Sequence, residues 1–229
     1  MTTQGAGRPR SSQRRRPGET AREEILDASA ELFTTQGYAS TSTRTIANAV
    51  GVRQATIYHY FGTKDDILEA LLSGTVTGTL EAAAAVRRAV DDPATRLHAL
   101  AWFDGIQLWN SRWNIGALYL LPELRAERFA PFIESREELR DVYRTWAADV
   151  VMASGAETTA AAAADEDLPL RLVETLVNMR WDGRGARNEP FRTANSIVRA
   201  LGWHGDWDVL HKESHQTLNT MLAPEEVVR

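Results

Sequence analysis

The chain has 229 residues, a formal charge of −5, 43% hydrophobic residues and no cysteine. That length holds a small module plus one larger domain with room for a core, and the lack of cysteine excludes disulfides, thiolate nucleophiles and thiolate metal sites. No apolar run approaches the ~20 residues that span a bilayer, and no hydrophobic stretch follows the arginine-rich start, so a membrane anchor and a signal peptide are not expected and the predicted location is the cytoplasm.

The charge is unevenly spread. Residues 1–16 carry five arginines and no acid, which leaves −10 on the remainder. Such an asymmetry suits a protein whose amino-terminal part meets phosphates while the rest is repelled by them. Residues 1–20, rich in Gly, Pro, Ser, Gln and Arg, read as a disordered basic arm. Arg8, Arg10, Arg14, Arg15 and Arg16 are either DNA contacts along the backbone or minor groove, or a solvated tail.

From residue 21 the pattern turns helical. Ile25, Ala28, Ser29, Leu32 and Phe33 form one stripe, and Gly37 ends that helix. Thr41, Ser42 and Thr43 offer capping oxygens for a second helix. Arg44 in its first turn opposes the helix dipole unless an anion lies near, which a DNA phosphate or base edge would supply. Ile46, Ala47 and Val50 then form an inner face, Gly51 makes a turn, and Val52, Ile57 and Phe61 form the inner face of a third helix. Two short helices about a glycine are a helix-turn-helix. The outer side of the third helix carries Arg53, Gln54, Ala55, Thr56, Tyr58 and His59, which suit phosphates and base edges. Tyr60 and Phe61 are expected to pack inward.

These residues resemble the amino-terminal domain of the TetR family of bacterial repressors, from about Arg22 to Leu72. The match takes in the lead helix from Arg22 to Phe33 with Gly37-Tyr38, then Thr41 to Thr45, then Thr56 to Phe61, and closes on Lys64 to Leu68 opening a fourth helix. The resemblance implies an all-α fold: a three-helix DNA-binding domain over residues 21–73, then a larger helical-bundle domain for ligand binding and dimerisation over 74–222. It also implies a DNA-contact set of Thr43, Arg44, Gln54, Ala55, Thr56, Tyr58, His59 and Lys64, to which Arg53 is added as an extra cation at the turn. In the family the fourth helix links the two domains, and Gly74 and Gly78 would make it bendable here.

Beyond Pro93 the periodicity predicts helices over 94–110, 114–128, 131–152, 168–181, 190–201 and 206–221, and no strand. The alanine run 160–164 reads as a connection or a helix extension. Trp102, Ile106, Trp109 and Trp113 fall on one helical stripe. With Gln107, Asn110, Tyr119, Trp146, Asn178 and Met179 they make a candidate pocket for a hydrophobic or aromatic effector, against the plainer reading of a packed core. A helix-turn-helix grips few base pairs, so a homodimer on a palindromic double-stranded operator is expected. The family's use of its last long helices for dimerisation points to 168–181 and 190–201, with Leu168, Leu172, Leu176, Met179, Phe191, Ile197, Val198 and Leu201 as apolar faces. Trp203 and Trp207 flank a turn beside them.

An enzyme is the rival class. His211 and His215 stand four apart, a metal-compatible spacing, yet Glu213 is misplaced for a His-Glu-x-x-His site. The chain has no nucleophile elbow, phosphate-binding glycine loop or dinucleotide fingerprint. No catalytic residue, metal or cofactor is expected. The nearer rival is a DNA-binding regulator without a small-molecule effector, controlled by abundance or a protein partner. An enclosed cavity lined by the tryptophans, or a carboxy-terminal domain packed solid, would distinguish the two.

Overall fold

The computed structural model describes residues 15–155 and 167–221. Among these are nine α-helices, three short 3-10 turns and no strand. The chain divides into two compact units, Met1–Leu68 and Glu69–Arg229.

The first unit holds α1 (Ala21–Thr35), α2 (Thr43–Val50), α3 (Gln54–Tyr60) and the start of α4 (Lys64–Ala89). Thr20 caps α1 reciprocally with Glu23, which satisfies two backbone donors that a bare helix start leaves orphaned. The stripe read from α1 is buried, and its Ile25, Ala28 and Phe33 share a core with Ile46, Ala47, Val50, Ile57 and Phe61. Phe33 meets Tyr38 edge to face at 4.9 Å. Residues 15–20, counted with the arm above, are placed: Arg16 is paired with Asp27 and Glu31 on α1. Arg8, Arg10 and Arg14 lie outside the described residues.

The larger unit is built round α5 (Pro93–Asn110), which packs against α6 (Ala130–Ala153), α7 (Leu168–Trp181), α8 (Glu189–Ala200) and α9 (Trp207–Met221). A helix covered on most sides must be apolar most of the way round, and twelve of its residues are buried. Gly105 permits the closest approach: a Cβ there would stand 3.0 Å from Pro190 and 3.1 Å from Leu176. Arg180 closes the end of α5, donating to the Ser111 carbonyl at 2.6 Å and its hydroxyl at 2.7 Å; a cation there also suits the helix dipole. The alanine run 160–164 is outside the described residues.

Five of the six expected helices appear within a residue or so of their predicted bounds, and 114–128 does not. That stretch forms three 3-10 turns, Ile115–Leu120, Pro122–Arg125 and Glu127–Phe129. Pro122 has no N–H and holds Leu121 extended (ψ 130°), and Ala126 is extended as well (ψ 141°), so a continuous α-ladder cannot form. The expected dimer faces also change. Leu176, Ile197 and Val198 are fully buried within the single chain and are core; Leu168, Leu172, Met179, Phe191 and Leu201 remain partly exposed. Trp181 is 70% exposed. Trp203 and Trp207 pack edge to face on each other at 5.0 Å.

Candidate nucleic-acid interface

Gly51 ends α2 in the left-handed region (φ 78°, ψ 34°), and its N–H donates to the Ala47 carbonyl at 2.9 Å. Only a residue without Cβ takes that conformation at little cost, and the turn sets α3 across α2. Ser42 is the cap of α2, accepting from the Thr45 amide at 3.1 Å. Thr41 instead points inward and donates to the Gly37 carbonyl at 2.9 Å.

The outer surface gathers most of the expected contacts. Gln54 Nε2 donates to Thr43 Oγ1 at 2.9 Å and lies 3.4 Å from the Tyr58 hydroxyl, which is 3.2 Å from Thr43 Oγ1. The amide and two hydroxyls hold the first residues of α2 and α3 in register, with donors and acceptors exposed. Arg44, Arg53, Ala55 and His59 are exposed beside them, and Thr56 is half-buried. Neither Arg44 nor Arg53 has an acidic partner among the described residues. Tyr60, expected inside, is 42% exposed and stacks edge to face with His59 at 5.0 Å; Phe61 alone of that pair enters the core. The three-to-four-residue rhythm of so short a helix leaves its last residue on either side.

Lys64 is differently engaged. Its ammonium donates to the Tyr38 carbonyl at 2.8 Å and the Thr41 carbonyl at 3.0 Å, and lies 4.0 Å from the centroid of the Tyr38 ring. It therefore ties the chain before α2 to the start of α4. These two carbonyls engage two of its three donors.

The candidate effector residues are dispersed. Trp102 packs on Phe191 at 4.8 Å and near His98 and His215. Trp109 covers Gly185, where a Cβ would stand 2.6 Å from the indole. Trp113, expected on the α5 stripe, falls past the end of that helix at Asn110 and lies beneath Arg112. Ile106, Gln107 and Asn110 border an open depression of about 150 Å³, while Asn178 is exposed and Met179 half-buried. Trp146 is buried under Arg96 in the floor of an open groove of about 520 Å³, whose walls carry Glu134, Glu137, Glu138, Asp141 and Arg87.

Tyr119 borders an interior cleft with Thr75, Asp104, Arg136 and Glu174. The free space there, about 10 Å³, is close to one water position. Asp104 is buried beside it, accepting from the Tyr143 hydroxyl at 2.9 Å and the Thr79 hydroxyl at 3.1 Å. Burial raises its carboxyl to about 6, and the nearby Glu174 carboxylate adds to the rise. On another side of α5, Asn195 Oδ1 lies 3.2 Å from His98 Nε2 and 2.7 Å from His211 Nε2. Burial lowers His98 to about 4. Sequence reading singled out neither Asp104 nor His98. A signal existed for the first, since Asp104 falls at helical spacing from Leu97, Leu100 and Leu108.

Comparison with known proteins agrees with this geometry. Residues 25–71 match the family described as "Bacterial regulatory proteins, tetR family". The crystal structure of Mycobacterium smegmatis AmtR is 52% identical, covering 90% of this chain and 98% of that one with a TM-score of 0.84. The transcriptional repressor KstR2 of Mycobacterium tuberculosis is 26% identical over 166 residues, 70% of this chain and 80% of the relative. The regulator BetI 2 of Chromohalobacter salexigens is 34% identical over 84 residues, so the chain matches 37% of itself to only 41% of that relative's length. The helix-turn-helix with its exposed polar face, together with the near full-length likeness to AmtR, establishes that this chain belongs to the TetR family of bacterial regulatory proteins, which are DNA-binding transcriptional regulators and not enzymes.

Proposed function

We propose that this protein is a homodimeric repressor that occupies a palindromic operator, laying α3 of each protomer in successive major grooves. The observation that carries this is the shared exposed surface of α2 and α3, where Thr43, Gln54 and Tyr58 are joined by hydrogen bonds and Arg44 and Arg53 have no acidic partner among the described residues. Arg44, Gln54 and His59 read base edges in this proposal, Arg53 meets backbone or base, Thr43, Thr56 and Tyr58 fix register through phosphates, and Ala55 offers an apolar contact. Lys64 adds its remaining donor to a phosphate. That one relative is named a repressor supports the sign of regulation. Sedimentation of the protein with a bound duplex tests the stoichiometry: two chains per site support the reading, and one chain per site contradicts it. Transcription in vitro from a promoter carrying that site tests repression.

Release by a hydrophobic or aromatic small molecule has support from Tyr119 at the interior cleft, Trp146 in the groove floor, and Ile106, Gln107 and Asn110 at the open depression. The smallness of the cleft and the spread of Trp102, Trp109 and Trp113 favour a second reading, control by abundance or by a protein partner. Titrating the protein–DNA complex with aromatic and lipophilic compounds, read by tryptophan fluorescence and DNA release, separates the two. Release by a compound supports the effector.

A further inference from the structure

We propose that Arg15 is a DNA-contacting residue held against the turn of the helix-turn-helix, with Arg16 as its anchor on α1. This rests on the DNA-binding reading above and adds a contact from outside α2 and α3.

The two adjacent arginines do opposite things. The Arg16 guanidinium lies between Asp27 and Glu31, one helical turn apart on α1, with its side chain 16% exposed. It is neutralised and fixed. Arg15 is exposed and has no acidic partner among the described residues. Its side chain lies over the bare face of Gly51: a Cβ built there would stand 3.0 Å from Arg15 Cδ and Nε and 3.2 Å from Cζ. Gly51 thus serves twice, taking the left-handed backbone and leaving room for the arginine stem.

The charge around that place needs explaining. Arg15 is held over Gly51, two residues before Arg53, which is exposed and has no acidic partner among the described residues, and Arg44 lies in the first turn of α2 in the same unit. Cations fixed near one another repel and are stable together beside a polyanion. A duplex supplies one, and an arginine fixed in place before binding loses less side-chain entropy when it meets a phosphate. Arg16 makes the position definite; a mobile arginine would add only diffuse attraction.

The test uses the duplex enriched by the wild-type chain from a random pool, labelled, with affinity measured by anisotropy across a series of NaCl concentrations. Arg15→Ala, and Arg15→Met to retain the stem, should lower the slope of log affinity against log salt by about 0.9 for each protomer on the site. Arg184→Ala, in the exposed loop after α7, should leave it unchanged. The decisive variant is Asp27→Asn/Glu31→Gln, which frees Arg16 while removing two negative charges. General electrostatics makes that protein bind more tightly, whereas loss of the anchor makes it bind more weakly, by about three- to tenfold. Thermal melts by circular dichroism confirm that each variant is folded. An unchanged slope in both Arg15 variants, or equal or tighter binding by Asp27→Asn/Glu31→Gln, overturns the proposal. Failure of the wild type to enrich any duplex would instead remove the DNA-binding reading on which it rests.

Discussion

The side-chain amide of Gln54 donates to the hydroxyl of Thr43 across 2.9 Å, joining the first turn of α3 to the first residue of α2. A residue on the recognition helix is thereby oriented before DNA arrives. Gln54→Ala should lose both the base-edge contact proposed for it and this tie, weakening operator binding by about 1–3 kcal/mol and relaxing preference at one base position. Competition between the operator and its single-base variants checks this; a uniform loss across all variants would make Gln54 a positioning residue only.

Lys64→Met keeps the aliphatic stem over the Tyr38 ring and removes both carbonyl bonds. Hydrogen bonds from a charged donor are worth roughly 1.5–3 kcal/mol, less where partly exposed. Urea unfolding should show a loss of about 1–2 kcal/mol in the variant. An unchanged midpoint would show that water replaces the two bonds without cost.

Two buried groups in the larger unit should give opposing pH dependences. Asp104 titrates at about 6 in the fold against an ordinary 3.8. The folded state holds its proton longer, so this contribution is fully present below pH 3.8 and is lost as pH rises through 6. His98 titrates at about 4 against 6.5, so its contribution is present above pH 6.5 and is lost as pH falls through 4. Each is worth on the order of 3 kcal/mol, and in the intact chain they largely cancel between pH 4 and 6. Asp104→Asn should expose stability that rises with pH over that window, and His98→Gln stability that falls. Urea midpoints at pH 4, 5, 6 and 7 measure both; parallel profiles for the two variants would contradict the assignment.

Gly74 and Gly78 lie inside α4, and a Cβ at either would meet nothing within 4 Å. Replacing both with alanine should stabilise the chain by about 1–2 kcal/mol in total, because glycine loses the most backbone freedom in a helix. If bending at α4 serves induction, the same variant should hold operator affinity while changing release. A lower melting temperature would show that these positions are not relaxed helix.

Short-range patterns carried the most information. The α2–Gly51–α3 unit was legible because its two inner faces, its turn glycine and its outer polar side all lie within nineteen consecutive residues. The 114–128 stretch misled because its apolar spacing suits a helix while Pro122 forbids one. The tryptophan stripe held for Trp102, Ile106 and Trp109 on α5 but not for Trp113, which lies past the helix end at Asn110, and spacing along a helix does not say what a face meets; Trp102 met α8 and Trp109 a loop glycine. Lys64 and Arg16 carried no local mark of their partners, which lie 23 to 26 residues away for the lysine and 11 to 15 for the arginine.

The central claim is that α2 and α3 read a two-fold DNA site. The most direct test is selection of bound duplexes from a random pool at near-physiological salt, with Arg44→Ala/Gln54→Ala run in parallel. We expect the wild type to enrich a palindrome whose half-sites are about one helical turn, ~34–36 Å, apart, and the double variant to lose that sequence. No enriched sequence from the wild type, or the same palindrome from both proteins, would contradict it.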